Sequence, residues 1–371
     1  MKIFLFVLGR DPELSKAEIE AYFENRDIKF DILESNEKIA AIRLEKLSPK
    51  TINDLGGTIK IAEVISSTNI IEEIEENLEK QDLYRGTSNK AEYYVSAYAT
   101  RLGSIVEDYL KDYFKRIRVK AVQRKGPEPT KLVKKQEKGE VLDIVVYKNY
   151  IAKTIAVTDL KEIKQRDLNR PSVDYMKVIS IRLAKILINL SKAKEGELIA
   201  DPFCGSGTIL QEALLKGINA IGIDKDKESI KHSRENLEWL KKNYNIKADY
   251  KLYNLDSRKI STIAKKIDSA VTEPYLGPYI RKLPTIWQAR QLVLELRELY
   301  YELIKDIYKI LKTNGRLVII IPRIKTLEGK TVFIDFENLA KETGYELVHK
   351  PITYGYSKSK IGREIYILEK I

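Results

Sequence analysis

The stretch Asp201-Pro202-Phe203-Cys204-Gly205-Ser206-Gly207-Thr208 decides the fold of the C-terminal part of this chain. It follows a short apolar segment and opens a segment with helical spacing, which ends at Gly217. Glycines at 205 and 207 let the backbone approach a ligand closely, and the free amides at a helix start favour anionic or electron-rich groups. The order of strand, glycine-rich turn and helix predicts a ligand site at the end of a strand.

From about Val178 the chain alternates helices with short apolar strands, which is typical of a mostly parallel sheet covered on both faces. The predicted strands are 197–200, 220–223, 250–253, 269–271 and 316–321, and the predicted helices are 209–215, 228–242 and 286–311. Segments 345–350 and 364–368 have strand patterns with no helix between them. We therefore predict a Rossmann-like α/β domain, a doubly wound sheet that ends in an antiparallel hairpin.

The composition of the glycine-rich loop favours a methyl donor over a hydride carrier. Gly222-Ile223-Asp224 closes the second strand with a carboxylate suited to ribose hydroxyls, and a nicotinamide site would use the same acid. The loop lacks the Gly-x-Gly-x-x-Gly spacing of dinucleotide folds. Asp201 is placed to meet the ammonium of an amino-acid moiety, which a dinucleotide lacks. We therefore expect S-adenosylmethionine as the cofactor.

The third strand ends at Asn254-Leu255-Asp256-Ser257. Asp256 is a candidate acceptor for the adenine amino group and Leu255 a candidate packing partner for the ring, although a helix-capping role for Asp256 stays open. The complete set of predicted cofactor-binding residues is Asp201, Phe203, Gly205, Gly207, Thr208, Asp224, Asp256 and Ser257.

The fourth strand is followed by Thr272-Glu273-Pro274-Tyr275-Leu276-Gly277-Pro278. This loop resembles the Asp-Pro-Pro-Tyr or Asn-Pro-Pro-Tyr motif of amino-directed methyltransferases, which it matches at Pro274 and Tyr275. The lone pair of an exocyclic amine is delocalised into the base, so acceptors must hold the amine hydrogens and align the nitrogen with the methyl group. We predict Thr272, Glu273, Pro274 and Tyr275 as the catalytic residues, with the Thr272 hydroxyl and the Glu273 carbonyl as acceptors and Tyr275 stacked on a flipped base. Threonine replaces the stronger acceptor of the motif, and Glu273 is its candidate substitute.

Cysteine and histidine are scarce in this chain. The single cysteine, Cys204, excludes a structural disulfide within the chain and is badly placed as the nucleophile that cytosine C5 methylation requires. The two histidines, His232 and His349, lie far apart in sequence, so no metal site is expected. No apolar run has the length of a membrane span, and we expect a cytoplasmic protein without membrane contact.

As a whole, the chain resembles the archaeal and eukaryotic tRNA guanine-N2 methyltransferases that act at tRNA position 10. The resemblance rests on Leu8-Gly9-Arg10-Asp11-Pro12-Glu13-Leu14-Ser15 with Glu18, on Gly56-Gly57-Thr58-Ile59-Lys60, on Arg166-Asp167 with Arg170-Pro171, and on the motifs above. It implies a ferredoxin-like region over 1–65, a THUMP domain over 66–160, a linker over 161–175 and a class I methyltransferase domain over 176–371. Within the first region, the periodicity predicts a helix over 15–23 capped by Ser15 with Glu18.

Much of the positive charge lies in one segment of the middle region. Residues 115–138 contain ten Lys or Arg and two acids, which gives +8 of the net charge of +12. The resemblance implies that this region holds tRNA through contacts that position the substrate without recognising its bases. The predicted RNA-binding residues are Arg116, Arg118, Lys120, Arg124, Lys125, Lys134 and Lys135.

The sequence leaves three alternatives open. The Pro274-Tyr275 pair does not distinguish guanine N2 from an adenine N6 amine or from a target in another RNA. The substitution of Thr-Glu for Asp-Pro also allows a non-catalytic RNA-binding protein with a decayed catalytic loop. A helper subunit is the third open point, and a monomer is expected if none is required.

Overall fold

The computed structural model describes residues 1–126, 132, 139–172, 179–355 and 359–371. The chain forms two compact units, one made of Met1–Lys16 and Arg26–Arg166 and the other of Ala17–Asn25 and Asp167–Ile371. Most of the predicted regions 1–65 and 66–160 lies in the first unit, whereas residues 17–25 belong to the second.

The first unit is built on one eight-stranded sheet. Its strands are β1 (Lys2–Leu8), β2 (Phe30–Ser35), β3 (Ile39–Leu44), β4 (Thr58–Ser67), β5 (Lys90–Tyr98), β6 (Lys120–Arg124), β7 (Val141–Tyr147) and β8 (Tyr150–Val157), in the order β2-β3-β1-β4-β8-β7-β5-β6. The helices along this part of the chain are α1 (Pro12–Glu24), α2 (Thr51–Asp54), α3 (Ile71–Glu79), α4 (Leu102–Arg116) and α5 (Leu160–Asn169).

The centre of this sheet contains a buried ion pair. Lys60 Nζ lies 2.8 Å from Asp143 Oδ2, and Thr154 Oγ1 donates to the same oxygen over 2.6 Å. Every residue of β7, which carries Asp143, is buried, so the carboxylate needs these partners to offset its lost hydration.

The helix predicted over 15–23 and its cap were wrong in detail. The helix predicted over 15–23 begins at Pro12, so Ser15 lies inside it, with its hydroxyl in hydrogen-bond distance of the carbonyls of Asp11 and Gly57. Glu18 is buried and accepts from Asn189 Nδ2 over 2.7 Å instead of closing a capping box. Residues 161–169 of the predicted linker 161–175 belong to the helix Leu160–Asn169, and the linker itself stays a prediction.

The second unit is built on a nine-stranded sheet. Its strands are β9 (Leu198–Asp201), β10 (Asn219–Asp224), β11 (Tyr250–Asn254), β12 (Ile267–Thr272), β13 (Leu311–Lys325), β14 (Thr331–Phe333), β15 (Tyr345–Leu347), β16 (Ile352–Tyr354) and β17 (Ile361–Lys370). The main path is β11-β10-β9-β12-β13-β17-β15, parallel as far as β13. Its helices are α6 (Ile181–Leu190), α7 (Thr208–Leu215), α8 (Lys227–Asn243), α9 (Ile286–Ile310) and α10 (Phe336–Glu342).

The doubly wound α/β class is therefore confirmed, and the predicted terminal hairpin is more elaborate than expected. β17 inserts antiparallel between β13 and β15, and the short β16 also pairs with it. Both edges of β17 are therefore paired, and its central residues 364–368 are buried.

The sheet order brings the residues of the predicted ligand site to one edge of the sheet. The chain order of the strands reverses at β9, whose neighbours are β10 on one side and β12 on the other. In open α/β sheets the crevice beyond the carboxyl ends of the strands at such a point is where ligands bind. The glycine-rich loop after β9 and the loop after β12 therefore leave neighbouring strands at the same edge.

Candidate active site

The two glycines of the loop after β9 have left-handed backbone conformations, with φ of +52° at Gly205 and +83° at Gly207. A Cβ at Gly207 would lie 2.4 Å from Ser233 Oγ, whereas a Cβ at Gly205 would meet no atom within 4 Å. Gly207 is therefore required by the packing of the loop on α8. Gly205 faces open space, as a residue that a ligand approaches would.

Asp201 ends β9 with a buried carboxyl group, which is 2% exposed. Its Oδ1 accepts from Thr272 Oγ1 over 2.8 Å and from the Phe203 amide over 3.1 Å. Burial, together with the nearby carboxylates of Asp224 and Glu273, raises the pKa of Asp201 to about 7, although these two hydrogen bonds act to lower it. A bound cation at this position would relieve the penalty of ionising the group.

Asp224, at the end of β10, ties the second strand to the glycine-rich loop. Its Oδ2 accepts from the Gly205 amide over 3.1 Å and its Oδ1 from the Asp226 amide over 2.9 Å. Asn254, at the end of β11, donates to the carbonyls of Asp224 and Lys225 over 3.0 and 2.9 Å. The ends of three adjacent strands are thereby fixed to one another.

Asp256 caps the 3₁₀ turn Ser257–Thr262, because its side chain accepts from the Arg258 amide over 3.0 Å. Arg258 also approaches the carboxylate with Nη2 at 2.6 Å and binds Glu302 over 2.8 Å. The hydrogen bonds from the Arg258 side chain lower the pKa of Asp256 to about 2, so the group is ionised at neutral pH. The capping role is therefore present, and the same residue also lines a cavity.

The loop after β12 orients its first residues differently from the sequence-based expectation. Thr272 is fully buried, and its hydroxyl donates to Asp201 instead of facing a cavity. Glu273 lines a cavity beside the glycine-rich loop, and Arg363 Nε donates to its Oε1 over 2.7 Å. Pro274 is buried, and the Tyr275 carbonyl accepts from the buried Tyr300 hydroxyl over 2.7 Å while the Tyr275 side chain is half exposed.

Two adjoining cavities lie between the glycine-rich loop and the loop after β12, and Phe203 lines both of them. The first cavity is lined by Pro202, Phe203, Lys225, Asp256, Ser257, Arg258, Tyr275 and Leu299. The second is lined by Ile179, Asp201, Phe203, Cys204, Gly205, Ser206, Thr208, Ile209 and Glu273. The two cavities are here together called the groove. Asp256 and Tyr275 line the first cavity, and Asp201 and Glu273 line the second.

A family model described as an RMKL-like methyltransferase domain matches residues 172–339, which include every residue of these cavities. The second unit is a methyltransferase domain. Another model, described as a DNA methylase, matches residues 53–235.

Nearly the whole chain is similar to a curated relative. The tRNA (guanine(10)-N2)-dimethyltransferase of Methanothermobacter thermautotrophicus is 25% identical over 357 residues, which cover 95% of this chain and 97% of the relative. An enzyme of the same name from Pyrococcus abyssi is 28% identical over 213 residues, 56% of this chain and 55% of the relative. Among solved structures, TrmN from Thermus thermophilus has the same fold over 100% of both chains, with 14% identity and a TM-score of 0.55.

The remaining predicted residues of the methyltransferase domain are buried. Thr208 is 3% exposed, and its hydroxyl accepts from Arg170 Nη1 over 2.9 Å. Ser257 is buried in the lining of the first cavity. Cys204 is buried as well, and burial raises the pKa of its thiol well above the ordinary value, which agrees with the exclusion of a cysteine nucleophile.

Sequence reasoning missed three cationic side chains of the methyltransferase domain: Arg170, Arg258 and Arg363. Arg170 was noted in the sequence only as part of the Arg170-Pro171 pair that supports the family resemblance. Its contact with Thr208 was not predicted. Arg363 lies 90 residues from Glu273, and local spacing offers no signal for such a pair.

The predicted RNA-binding residues that the structure describes are all exposed: Arg116, Arg118, Lys120, Arg124 and Lys125. Arg116 forms an ion pair with Glu79 and lies 5.5 Å from the centre of the Tyr109 ring, and Arg124 lies 3.3 Å from Glu92. Lys134 and Lys135 lie outside the described residues. β6, which carries Lys120 and Arg124, is the last strand in the sheet order. Cations on such an edge strand also protect it from pairing with another strand.

Within the described residues, no group of three or more His, Cys, Asp or Glu side chains has an arrangement that would hold a metal ion. The helices of that part of the chain are all too short or too polar to cross a membrane.

Proposed function

We propose that this protein transfers a methyl group from S-adenosylmethionine to the exocyclic N2 of a guanine in tRNA. The observation that carries the proposal is the groove in which the Glu273 carboxylate lies beside the glycine-rich loop. The names of the relatives support guanine 10 as the target. An adenine N6 amine has the same hydrogen-bonding chemistry and is the second candidate.

The residues of the groove fit S-adenosylmethionine. Asp201 is a buried carboxyl group with a raised pKa, suited to the ammonium of the donor, and Gly205 leaves open space beside it. Asp224 is assigned to the ribose hydroxyls and Asp256 to the adenine amino group, with Phe203 against the ring. When bound, the donor supplies an electrophilic methyl group on a sulfonium centre.

Glu273 is assigned to the amine of the target base. Its carboxylate accepts one N2 hydrogen, and it is the acceptor for the proton that the methylated nitrogen must lose. Arg363 holds this carboxylate in one orientation through the 2.7 Å hydrogen bond. Thr272 is reassigned as a positioning residue, because its hydroxyl donates to Asp201. Pro274 fixes the turn, and Tyr275 provides the ring on which the guanine stacks.

The first unit is assigned to holding the tRNA. We propose a ferredoxin-like region over 1–65, of which residues 17–25 belong to the second unit, and a THUMP domain over 66–160. Arg116, Arg118, Lys120, Arg124 and Lys125 are its phosphate contacts. Lys134 and Lys135 belong to the same proposed set. Such contacts release counterions, so binding weakens steeply as salt increases.

The decisive experiment incubates the full chain with labelled S-adenosylmethionine and an unmodified tRNA transcript, followed by digestion to nucleosides. The expected product is labelled N2-methylguanosine, and a transcript with adenine in place of guanine 10 is the matched control. Label in adenosine would identify the N6 alternative. Calorimetric donor binding without any methyl transfer would support a non-catalytic protein or a requirement for a helper subunit.

A further inference from the structure

We propose that residues 276–284, here called the flanking loop, form a contact surface for the RNA strand on either side of the target base. This inference rests on the proposed function and adds to it a second RNA surface, located in the methyltransferase domain. Tyr279 is the stacking residue for a neighbouring nucleotide, and Arg281 with Lys282 are the phosphate contacts.

The flanking loop exposes an aromatic ring beside two cations. Tyr279 is 74% exposed, and Arg281 and Lys282 are exposed as well. Within the described part of the chain, neither cation forms an ion pair. From residue 274 to residue 294 the sequence contains three cations and no acid, so the charge of this segment complements a phosphate backbone. Exposed aromatic side chains among cations are what proteins use to bind single-stranded RNA.

The backbone of the flanking loop is anchored along its length. Lys360 Nζ donates to the carbonyl of Ile280 over 3.2 Å and to that of Arg281. The Leu327 amide donates to the Pro284 carbonyl over 2.9 Å. At its start, Gly277 has a φ of +103° and packs so closely on Leu292 that a Cβ there would lie 3.0 Å from Leu292 Cδ2. A fixed backbone with outward side chains reduces the entropy lost on binding.

The flanking loop is close to the target because it continues directly from the catalytic loop. Tyr279 follows the cavity-lining Tyr275 by four residues, a distance of at most about 14 Å along an extended chain. A base held against Tyr275 therefore brings its neighbours in the strand close to Tyr279 and the two cations. Stacking tolerates any base, so the contact would orient the strand without selecting its sequence.

The test compares the full-length protein with Tyr279→Ala, Tyr279→Phe and the double variant Arg281→Gln/Lys282→Gln. Lys265→Gln/Lys266→Gln is the charge-matched control, since these two exposed lysines precede β12 at the opposite end of the strand from the catalytic loop. Y279A is expected to raise KM for tRNA roughly tenfold with an unchanged donor Kd, and Y279F to restore it. The Arg281/Lys282 variant is expected to reduce the slope of log K for tRNA against log salt by about 1 to 2, and the control pair to leave it unchanged.

Two results would overturn this inference in an active enzyme. One is a wild-type KM for tRNA in Y279A. The other is an equal loss of tRNA affinity in the Arg281→Gln/Lys282→Gln variant and in the control Lys265→Gln/Lys266→Gln. Loss of a bound protein partner in Y279A with unchanged tRNA binding would overturn it as well. Failure of the proposed function gives a different result, because the wild-type chain would then form no N2-methylguanosine, while the salt dependence of tRNA binding would still test the surface.

Discussion

Arg363 Nε donates to Glu273 Oε1 over 2.7 Å and thereby joins β17 to the loop that follows β12. The Arg363 side chain is 38% exposed and that of Glu273 17% exposed, so the pair lies at the rim of the groove. An arginine in this position fixes the direction of the carboxylate while leaving its second oxygen available.

Replacement of Glu273 by glutamine tests the catalytic assignment. Glutamine keeps an acceptor oxygen but loses the negative charge and the capacity to take a proton, so kcat is expected to fall about 100-fold. The donor Kd, measured by calorimetry, should remain within roughly twofold of wild type because the assigned donor contacts are intact. The exposed Glu228→Gln on α8 is the control, and an E273Q variant with wild-type kcat would refute the assignment.

Replacement of Arg363 separates positioning from charge. Arg363→Met is expected to lower kcat about tenfold, and Arg363→Lys to recover part of it, because lysine restores one charged donor without the geometry of the guanidinium. KM for the donor should not change. Thermal unfolding of both variants serves as the control for folding, and a loss of kcat that simply follows the loss of stability would contradict a positioning role.

Donor binding should depend on pH through Asp201. Its pKa of about 7 in the ligand-free protein means that the carboxyl group is largely neutral below this pH. If the ionised form binds the ammonium, the Kd for the donor rises by up to about tenfold for each pH unit below 7 and is constant above pH 7. Because the pKa of Asp201 is higher in the folded protein than in the unfolded chain, the unfolded chain loses this proton first. The free energy of unfolding therefore falls as pH rises from about 4 to 7. Calorimetry of wild type and Asp201→Asn across this range is the measurement, and a pH-dependent Kd in D201N would assign the titration to another group.

Arg258 is expected to orient Asp256 without controlling its charge. Arg258→Gln should weaken donor binding by roughly fivefold, since the Asp256 carboxylate loses its charged partner. Its pKa would rise from about 2 toward the ordinary value, which still leaves it ionised at neutral pH. The loss should therefore be the same at pH values from about 6 to 8. Arg297→Gln, on the exposed side of α9, is the control, and a strongly pH-dependent loss would contradict the orientation role.

Gly205 and Gly207 of the glycine-rich loop should respond differently to replacement by alanine. Gly207→Ala is expected to destabilise the protein by about 1 to 3 kcal/mol, because φ is +83° and the new Cβ would meet Ser233 Oγ at 2.4 Å. Gly205→Ala has open space for its Cβ and should cost less stability but more donor affinity. Denaturant unfolding and calorimetry measure the two effects. Equal behaviour of the two variants would show that Gly205 does not face a ligand.

The sequence by itself determined the fold of the second unit and the edge at which its proposed ligand site lies. Alternating apolar strands and helices specify a parallel sheet, and a glycine-rich turn between strand and helix marks the carboxyl end of β9. These signals depend on neighbours within a few residues, so they are visible without the tertiary structure. Asp201, Gly205, Asp224 and Glu273 accordingly converge where their positions at strand ends predict.

Only the tertiary structure decided which side chains face the groove. Strand β12 ends at Thr272, so its alternation gives no direction for the Glu273 side chain. In the structure Thr272 donates to Asp201 and Glu273 lines the second cavity. The partner of Glu273 depends on β17 lying antiparallel beside β13, where Arg363 is opposite Pro322. The local sequence of β17 does not identify the two strands between which it inserts, because that arrangement joins segments far apart along the chain.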